Sequence, residues 1–204
     1  MIKVLVSDLG KVVLPFDFAP SKEFLRQRSR SVSAGGSSPD PWSVLSQLHE
    51  RLAFGAGGCE RAEFFRQLVA ELQLDATYDE FRTAFCDIFE EDHAVVELIR
   101  RARVEHRFLL SNTNAIHWEW ILAHHSEILK VFDQLLASQE LRAIKPHPEI
   151  YQKVEALTGL PPATHLLIDD LAENIEGARA CGWDGIIFTT AASLALELEE
   201  RQLL

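Results

Sequence analysis

Met1-Ile-Lys-Val-Leu-Val-Ser-Asp-Leu-Gly10 is the stretch that decides the fold. Ile2 to Val6 is a short apolar run rich in β-branched residues, the pattern of a strand buried on both faces. It ends in Ser7-Asp8-Leu9-Gly10. A carboxylate at the tip of a buried strand, next to a glycine, sits where open α/β sheets bind their ligands. Alone, such an Asp does no more than open a turn. The case for Asp8 as a nucleophile comes from three further strand ends downstream.

Working outward, Lys11 to Phe18 is short, apolar and broken by Pro15, which suits a small hairpin or flap leaving the first strand. Ser21 to Arg30 reads as helix and carries Arg26, Arg28 and Arg30, a solvated face or a greeting for an anion. Ser31 to Pro39 is Gly/Ser-rich, the pattern of a mobile loop. From Asp40 to about Asp92 the periodicity is helical throughout. Asp40-Pro41 supplies an N-cap and a proline at the first helical position. Val44, Leu45, Leu48 and Leu52 give one apolar face, and Phe54-Gly-Ala-Gly-Gly58 breaks the helix. Phe64, Phe65, Leu68, Val69 and Leu72 mark the next helix. Thr77-x-x-Glu80 is a capping box opening a third.

After Asp92 strands and helices alternate. Val95 to Ala102 is an amphipathic helix, and Arg107 to Leu110 a strand ending in Ser111-Asn112-Thr113-Asn114. A helix is expected over 116–129, a third strand over 132–137, and a helix opening at Pro148 and stopping at Gly159. His165 to Ile168 is a fourth strand ending in Asp169-Asp170. A helix carrying Leu171, Ile175 and Ala178 follows, then a strand over 185–188 and a terminal helix. This alternation predicts parallel right-handed crossovers: an α/β, doubly wound, Rossmann-like parallel sheet with an inserted helical cap. The expected division is a catalytic core of residues 1–14 and 93–204 and a cap of residues 15–92.

Composition sets bounds on function. The chain has 204 residues, 47% of them hydrophobic, enough for a real core. Its net charge of −11 argues against sequence-independent nucleic-acid binding. Cys59, Cys86 and Cys181 are odd in number and far apart, without a CxxC, which supports neither a disulfide framework nor a zinc knuckle and fits a reducing cytoplasm. The N-terminus runs straight into a strand with no signal-peptide pattern, and no apolar run approaches the ~18 residues of a membrane span.

Four polar signals stand at the strand ends: Asp8, Ser111-Asn112, Lys145 in Ile-Lys-Pro-His-Pro, and Asp169-Asp170. Each has a bland alternative: Ser111 and the acidic pair as helix caps, Lys145 as a loop lysine. Together they offer a carboxylate, a hydroxyl, a cation and an acidic pair. Three clustered carboxylates are costly unless a cation neutralises them. Hard oxygen ligands suit Mg²⁺, and metal, lysine and hydroxyl are what a transferring phosphoryl group needs around it.

The order and spacing resemble the haloacid dehalogenase superfamily. The resemblance covers the whole chain and is carried by Ser7-Asp8-Leu9-Gly10-Lys11-Val12, Leu110-Ser111-Asn112-Thr113-Asn114, Lys145-Pro146-x-x-x-Ile150-Tyr151 and Ile168-Asp169-Asp170-x-x-x-Asn174-Ile175-x-Gly177-Ala178. The last motif is the most specific. The nearest subgroup is the phosphatase-like one with Asp-Leu-Gly-x-Val, which includes sugar-1-phosphate phosphatases. The resemblance implies a Mg²⁺-dependent hydrolase of small phosphate esters, plausible substrates being sugar phosphates. Asp8 would form an aspartyl-phosphate. Ser111, Asn112 and Lys145 would hold the phosphate, and Lys145 would keep Asp8 ionised. Asp8, the Gly10 carbonyl, Asp169 and Asp170 would serve the metal, and Asn174 would order the loop around the acidic pair.

One position departs from the pattern. Most phosphatases of the superfamily carry a second Asp two residues after the nucleophile, as general acid and base; here Gly10 stands there. Loss of a general acid costs ~10²–10⁴ in rate. Three consequences are open: a substrate with a good leaving group, a substitute such as Asp17 or His147, or lost activity. Metal-independent 2-haloacid dehalogenases also lack that Asp, but they do not keep the acidic pair. A catalytically impaired binding protein on the same fold is the other alternative.

Overall fold

The computed structural model describes residues 1–30 and 39–204; the Gly/Ser-rich stretch of 31–38 lies outside the described residues. Five strands form one parallel sheet: β1 (Val4–Ser7), β2 (His106–Ser111), β3 (Gln134–Ala137), β4 (His165–Asp169) and β5 (Asp184–Ile187). Their order is β3-β2-β1-β4-β5, so the chain switches direction at β1. In such sheets the crevice beyond the carboxyl ends at the switch point is where ligands bind. Asp8 is the residue immediately after β1.

Each strand alternates between two cores, as a period of two requires. Leu5, Leu109, Leu166 and Ile168 point to one face, under α5 (His93–Arg101), α6 (Ala115–His124), α7 (Ser126–Leu129) and α11 (Ala191–Glu200). Val4, Val6, Phe108, Leu110 and Leu167 point to the other, under α9 (Pro148–Thr158) and α10 (Ala172–Ala180). The central strands are buried on both faces, which is why they read as unbroken apolar runs. Gly159 ends α9 with φ 65°, the left-handed position a glycine adopts without strain.

The remaining helices have a third core. These are α1 (Ala19–Arg28), α2 (Pro41–Arg51), α3 (Arg61–Leu72) and α4 (Tyr78–Cys86), with a 3₁₀ turn at Phe54–Ala56. Leu25, Leu48, Phe54, Phe64, Leu68, Phe81 and Phe85 fill it, together with Ile116 from α6. Asp40 accepts from the Ser43 N–H to cap α2, and Thr77 and Glu80 form the capping box of α4. The 3₁₀ turn packs on α8 (Ser138–Leu141), the short helix after β3.

Two connections join these helices to the sheet, and they run side by side. Phe16 bridges Phe89 in antiparallel fashion. The Glu90 N–H donates to the Pro15 carbonyl at 2.8 Å and the Asp92 N–H to the Val13 carbonyl at 3.0 Å.

Several boundaries differ from the sequence expectation. The expected helix over 116–129 is two helices, broken at His125, whose φ of −121° ends α6 and whose Nδ1 meets Glu91. β3 starts at Gln134 because Asp133 bonds across to Arg107, its carboxylate accepting from the Arg107 N–H. Leu171 lies before α10, exposed, because Asp169 Oδ1 takes its N–H into a local turn. The flap after β1 is a tight turn in which the Lys11 N–H donates to the Leu14 carbonyl. Among the described residues no helix is long and apolar enough to cross a membrane.

Candidate active site

β1, β2 and β4 are neighbours, so their carboxyl ends bring Asp8, Ser111 and Asp169-Asp170 together without any long loop. Lys145 arrives from the loop before α9 and is 3% exposed. Its Nζ donates to Asp8 Oδ1 at 2.8 Å, Asp169 Oδ2 at 2.6 Å and the Leu110 carbonyl at 2.8 Å. The ammonium thereby uses all three of its protons. The Lys145-Pro146 bond is cis.

Asp169 is fully buried, and its other oxygen, Oδ1, accepts from the Leu171 N–H and from Asn174 Nδ2. Asp169 therefore has both oxygens engaged inside the protein. Asp170 is less committed: among the described residues its one cationic partner is Lys11 Nζ, at 3.8 Å. Oxygens of Asp8, Asp169 and Asp170 nonetheless all lie within 4.8 Å of one another. Asn174 Oδ1 is buried at the rim of this cluster with no hydrogen-bond partner among the described residues.

The electrostatics report an excess of negative charge. Burial pushes the Asp8 carboxyl up to about 6, with Asp169 adding to the effect and Lys145 opposing it. Burial likewise raises Asp170, Asp169 adding and Lys11 opposing. Burial works against the charge on Lys145, but Asp8 and Asp169 together hold its ammonium above the usual lysine range. Three carboxylates faced by one buried lysine form a site that a hard dication would neutralise, and the all-oxygen donor set fits Mg²⁺.

Ser111 is buried and lines the cavity, and its hydroxyl makes no hydrogen bond to any described residue. Asn112 also lines the cavity, with its side chain turned to the lysine loop. Its side chain is committed to Lys145, donating from Nδ2 to the Lys145 carbonyl at 2.8 Å and accepting at Oδ1 from the Lys145 N–H at 2.9 Å. It holds the lysine loop in position. Gly10 lines the cavity, whereas Asp17 and His147 do not; Asp17 caps the Ala19 N–H at the surface. Arg26, Arg28 and Arg30 lie outside the cavity lining too and pair with Glu23, Glu80 and Asp75.

The cavity measures about 710 Å³ and opens between the sheet's carboxyl edge and α2, the 3₁₀ turn and Phe85 of α4. Gly55 and Ala56 of the 3₁₀ turn line it; Gly57 and Gly58 do not. The turn is tied down by Ser138, whose Oγ donates to the Gly55 carbonyl at 2.6 Å and accepts from the Thr113 N–H at 3.0 Å. Sequence reasoning missed Ser138 and an aromatic wall of Phe16, Phe18, Trp42, Phe85, Phe89 and His117. The alternation in Phe16-Asp17-Phe18 and the four-residue spacing of Phe85 and Phe89 were the available signals. Neither says what the rings face.

His117 is held neutral. Its Nε2 lies 3.0 Å from the Phe85 carbonyl, which can only accept, so Nε2 carries the proton. Nδ1 then accepts from Asn114 Nδ2 at 3.2 Å. Burial drops its pKa to about 4.

A parallel sheet with a buried Asp–Lys–Asp cluster at its carboxyl edge, beneath a helical layer, defines a Rossmann-like hydrolase. The chain belongs to the haloacid dehalogenase-like hydrolases, whose family model matches residues 2–182. It is 25% identical over 192 residues to a D-ribitol-5-phosphate phosphatase of Bacteroides thetaiotaomicron, covering 90% of each chain. It is 29% identical over 126 residues to phosphatase MT3486 of Mycobacterium tuberculosis, spanning only 58% of that protein's length. The fold matches a HAD family enzyme of B. thetaiotaomicron solved with magnesium and inorganic phosphate, with TM-score 0.78, 24% identity and coverage of 93% and 95% of the two chains. It also matches an L-2-haloacid dehalogenase of Xanthobacter autotrophicus, with TM-score 0.61, 18% identity and coverage of 100% and 85%.

Proposed function

We propose that the protein is a Mg²⁺-dependent phosphatase of small phosphate monoesters, with Asp8 as nucleophile. The observation that carries this reading is the Lys145 ammonium shared between Asp8 and Asp169 beside a further, loosely paired carboxylate, Asp170. A dehalogenating site, with no cation to bind, gains nothing from two extra carboxylates around its nucleophile. The names of the two curated relatives support phosphate esters as substrates, and the B. thetaiotaomicron relative makes a polyol or sugar phosphate a natural comparison substrate.

In this reading Lys145 keeps Asp8 ionised and orients it, and Asp8 forms an aspartyl-phosphate. The free Ser111 hydroxyl donates to a phosphoryl oxygen. Asn112 holds Lys145 where both can be reached. Mg²⁺ would be held by Asp8, Asp170 and the Gly10 carbonyl, with Asp169 behind them, and would neutralise charge on the transferring group. Residues 15–92 serve as a cap that covers the cavity and chooses the substrate, over a core of residues 1–14 and 93–204.

The test is phosphate release from 4-nitrophenyl phosphate and a panel of sugar phosphates, with Mg²⁺, with EDTA, and with Asp8→Asn. Release that needs the metal and disappears in Asp8→Asn is expected. Release that survives both treatments sinks the reading.

A further inference from the structure

The cavity has two unlike ends. Asp8, Ser111, Lys145 and Asp170 make one. The other is a cluster of aromatic rings in mutual contact. Phe16 lies 4.9 Å from Phe18 and 5.9 Å from Phe89, centroid to centroid. Phe18 lies 4.8 Å from Trp42, and His117 lies 4.1 Å from Phe85 and 5.4 Å from Phe89. His117 belongs to this wall as a neutral ring, since both of its nitrogens are bonded inside the protein.

Phe16 also accounts for Gly10. A Cβ built on Gly10 would stand 2.9 Å from Phe16 Cε1. The place where most phosphatases of the family put a carboxylic acid is thus occupied by the edge of a phenyl ring. Of the other titratable groups lining the cavity, His117 is closed off, burial holds His49 below the usual histidine range, Glu50 comes from α2, and Lys11 Nζ lies 5.8 Å from the Phe16 ring centroid and 3.8 Å from Asp170. The end that receives the leaving group is mostly aromatic, its rings set at mixed angles, among them 23° between Phe18 and His117 and 73° between Phe16 and Phe89.

We infer that this site takes aryl phosphate monoesters, the aromatic ring lying against Phe16, Phe18, Phe89 and His117 while the phosphoryl group meets Asp8. The inference rests on the phosphatase reading above and narrows its substrate class. A cavity of about 710 Å³ holds a one- or two-ring ester. The chemistry agrees with the packing. An Asp8 oxygen bonds to phosphorus as the P–O bond to the aryl oxygen breaks, and the electron pair leaves on that oxygen. A phenol's pKa is about 10, like that of tyrosine. A simple alcohol's is close to that of water, about 15.7. The aryloxide departs unprotonated and takes its proton from solvent; the alkoxide would need the acid that Phe16 displaces. Water then adds to phosphorus, the bond to Asp8 breaks, and phosphate and one proton are released.

Two measurements decide it. Calorimetry on Asp8→Asn with Mg²⁺ compares phenyl and 1-naphthyl phosphate with ribitol 5-phosphate and glucose 1-phosphate. Aryl esters should bind at least ~10-fold tighter, as burial of a ring's apolar area allows, and Phe16→Ala in that background should erase most of the difference. Turnover of the wild type should then rise ~10-fold or more from phenyl to 4-nitrophenyl phosphate, since no acid levels the leaving groups. Equal or tighter binding of the sugar phosphates, or a flat dependence on the leaving group, overturns the inference. If sugar phosphates are hydrolysed without an aryl advantage, the phosphatase reading survives alone. If aryl esters bind selectively but nothing is hydrolysed, the phosphatase reading fails and the aryl selectivity stands.

Discussion

Lys145 Nζ donates to Asp8 Oδ1 at 2.8 Å across 137 positions of sequence. The lysine side chain is wholly buried and the aspartate's nearly so. A pair this dry is held by mutual need: each charge is tolerable only because the other is there.

Lys145→Met should therefore cost about 3–5 kcal/mol of stability, the usual result of removing one partner from a buried pair. Urea unfolding at pH 7 measures it. A loss below about 1 kcal/mol would mean that water reaches Asp8 and Asp169 freely. Phosphate release should fall as well, because an unopposed Asp8 resists ionisation.

The acidic pair should divide its labour. Asp170→Asn should weaken Mg²⁺ binding by calorimetry and leave the metal-free unfolding midpoint nearly unchanged. Asp169→Asn should do the reverse to the fold, because its new amide or its oxygen must face Lys145, the Leu171 N–H and Asn174 at once. Mg²⁺ itself should raise the melting temperature, the gain growing with the logarithm of its concentration above Kd, and EDTA should remove it. Equal effects of the two substitutions on metal affinity would refute the division.

His117 should stay neutral through the working pH range. Its folded-state pKa is depressed from 6.5 to about 4 by burial. The stabilisation from this neutral ring is thus complete above pH 6.5 and is lost as pH falls through about 4. Its full size is about 3 kcal/mol, at 1.36 kcal/mol per unit. Comparing wild type with His117→Gln in urea at pH 7 and pH 4 isolates it. Nitrogen-15 spectra should show the proton on Nε2 at pH 7; a proton on Nδ1 would contradict the Phe85 contact.

Ser138→Ala removes the hydroxyl that joins Gly55 to Thr113. Both main-chain groups lose a partner, a cost of about 1–3 kcal/mol. KM for a phosphate ester should rise more than kcat falls, since the turn lines the cavity away from Asp8. An unchanged KM would mean that the turn holds its place without Ser138.

What could be read in the sequence was what short-range physics dictates. Ile2 to Val6 and His165 to Ile168 are apolar enough to admit only a two-sided burial, and polar residues at their tips then fall on one edge. Asp40-Pro41 and Thr77-x-x-Glu80 announce helix starts because the caps act within three residues. What could not be read is long-range. Asn112 looks like a ligand for phosphate until the Lys145 main chain, 33 positions on, is seen to take its amide. Leu171 fits a helical period, but Asp169 draws its N–H into a turn first. Ser138 meets Gly55 across 83 positions, and no local pattern marks either end. The wall of rings is assembled from four separate stretches of chain.

The two connections between the sheet and the helical group are stitched to each other by Phe16 with Phe89, Glu90 with Pro15 and Asp92 with Val13. They behave as a two-ply strap. Any change in how the helices sit over the site must therefore carry both connections together. Phe16 and Phe89 are the strap's own residues and also part of the cavity's apolar end. The position of the strap and the shape of the aromatic wall are therefore set by the same two rings.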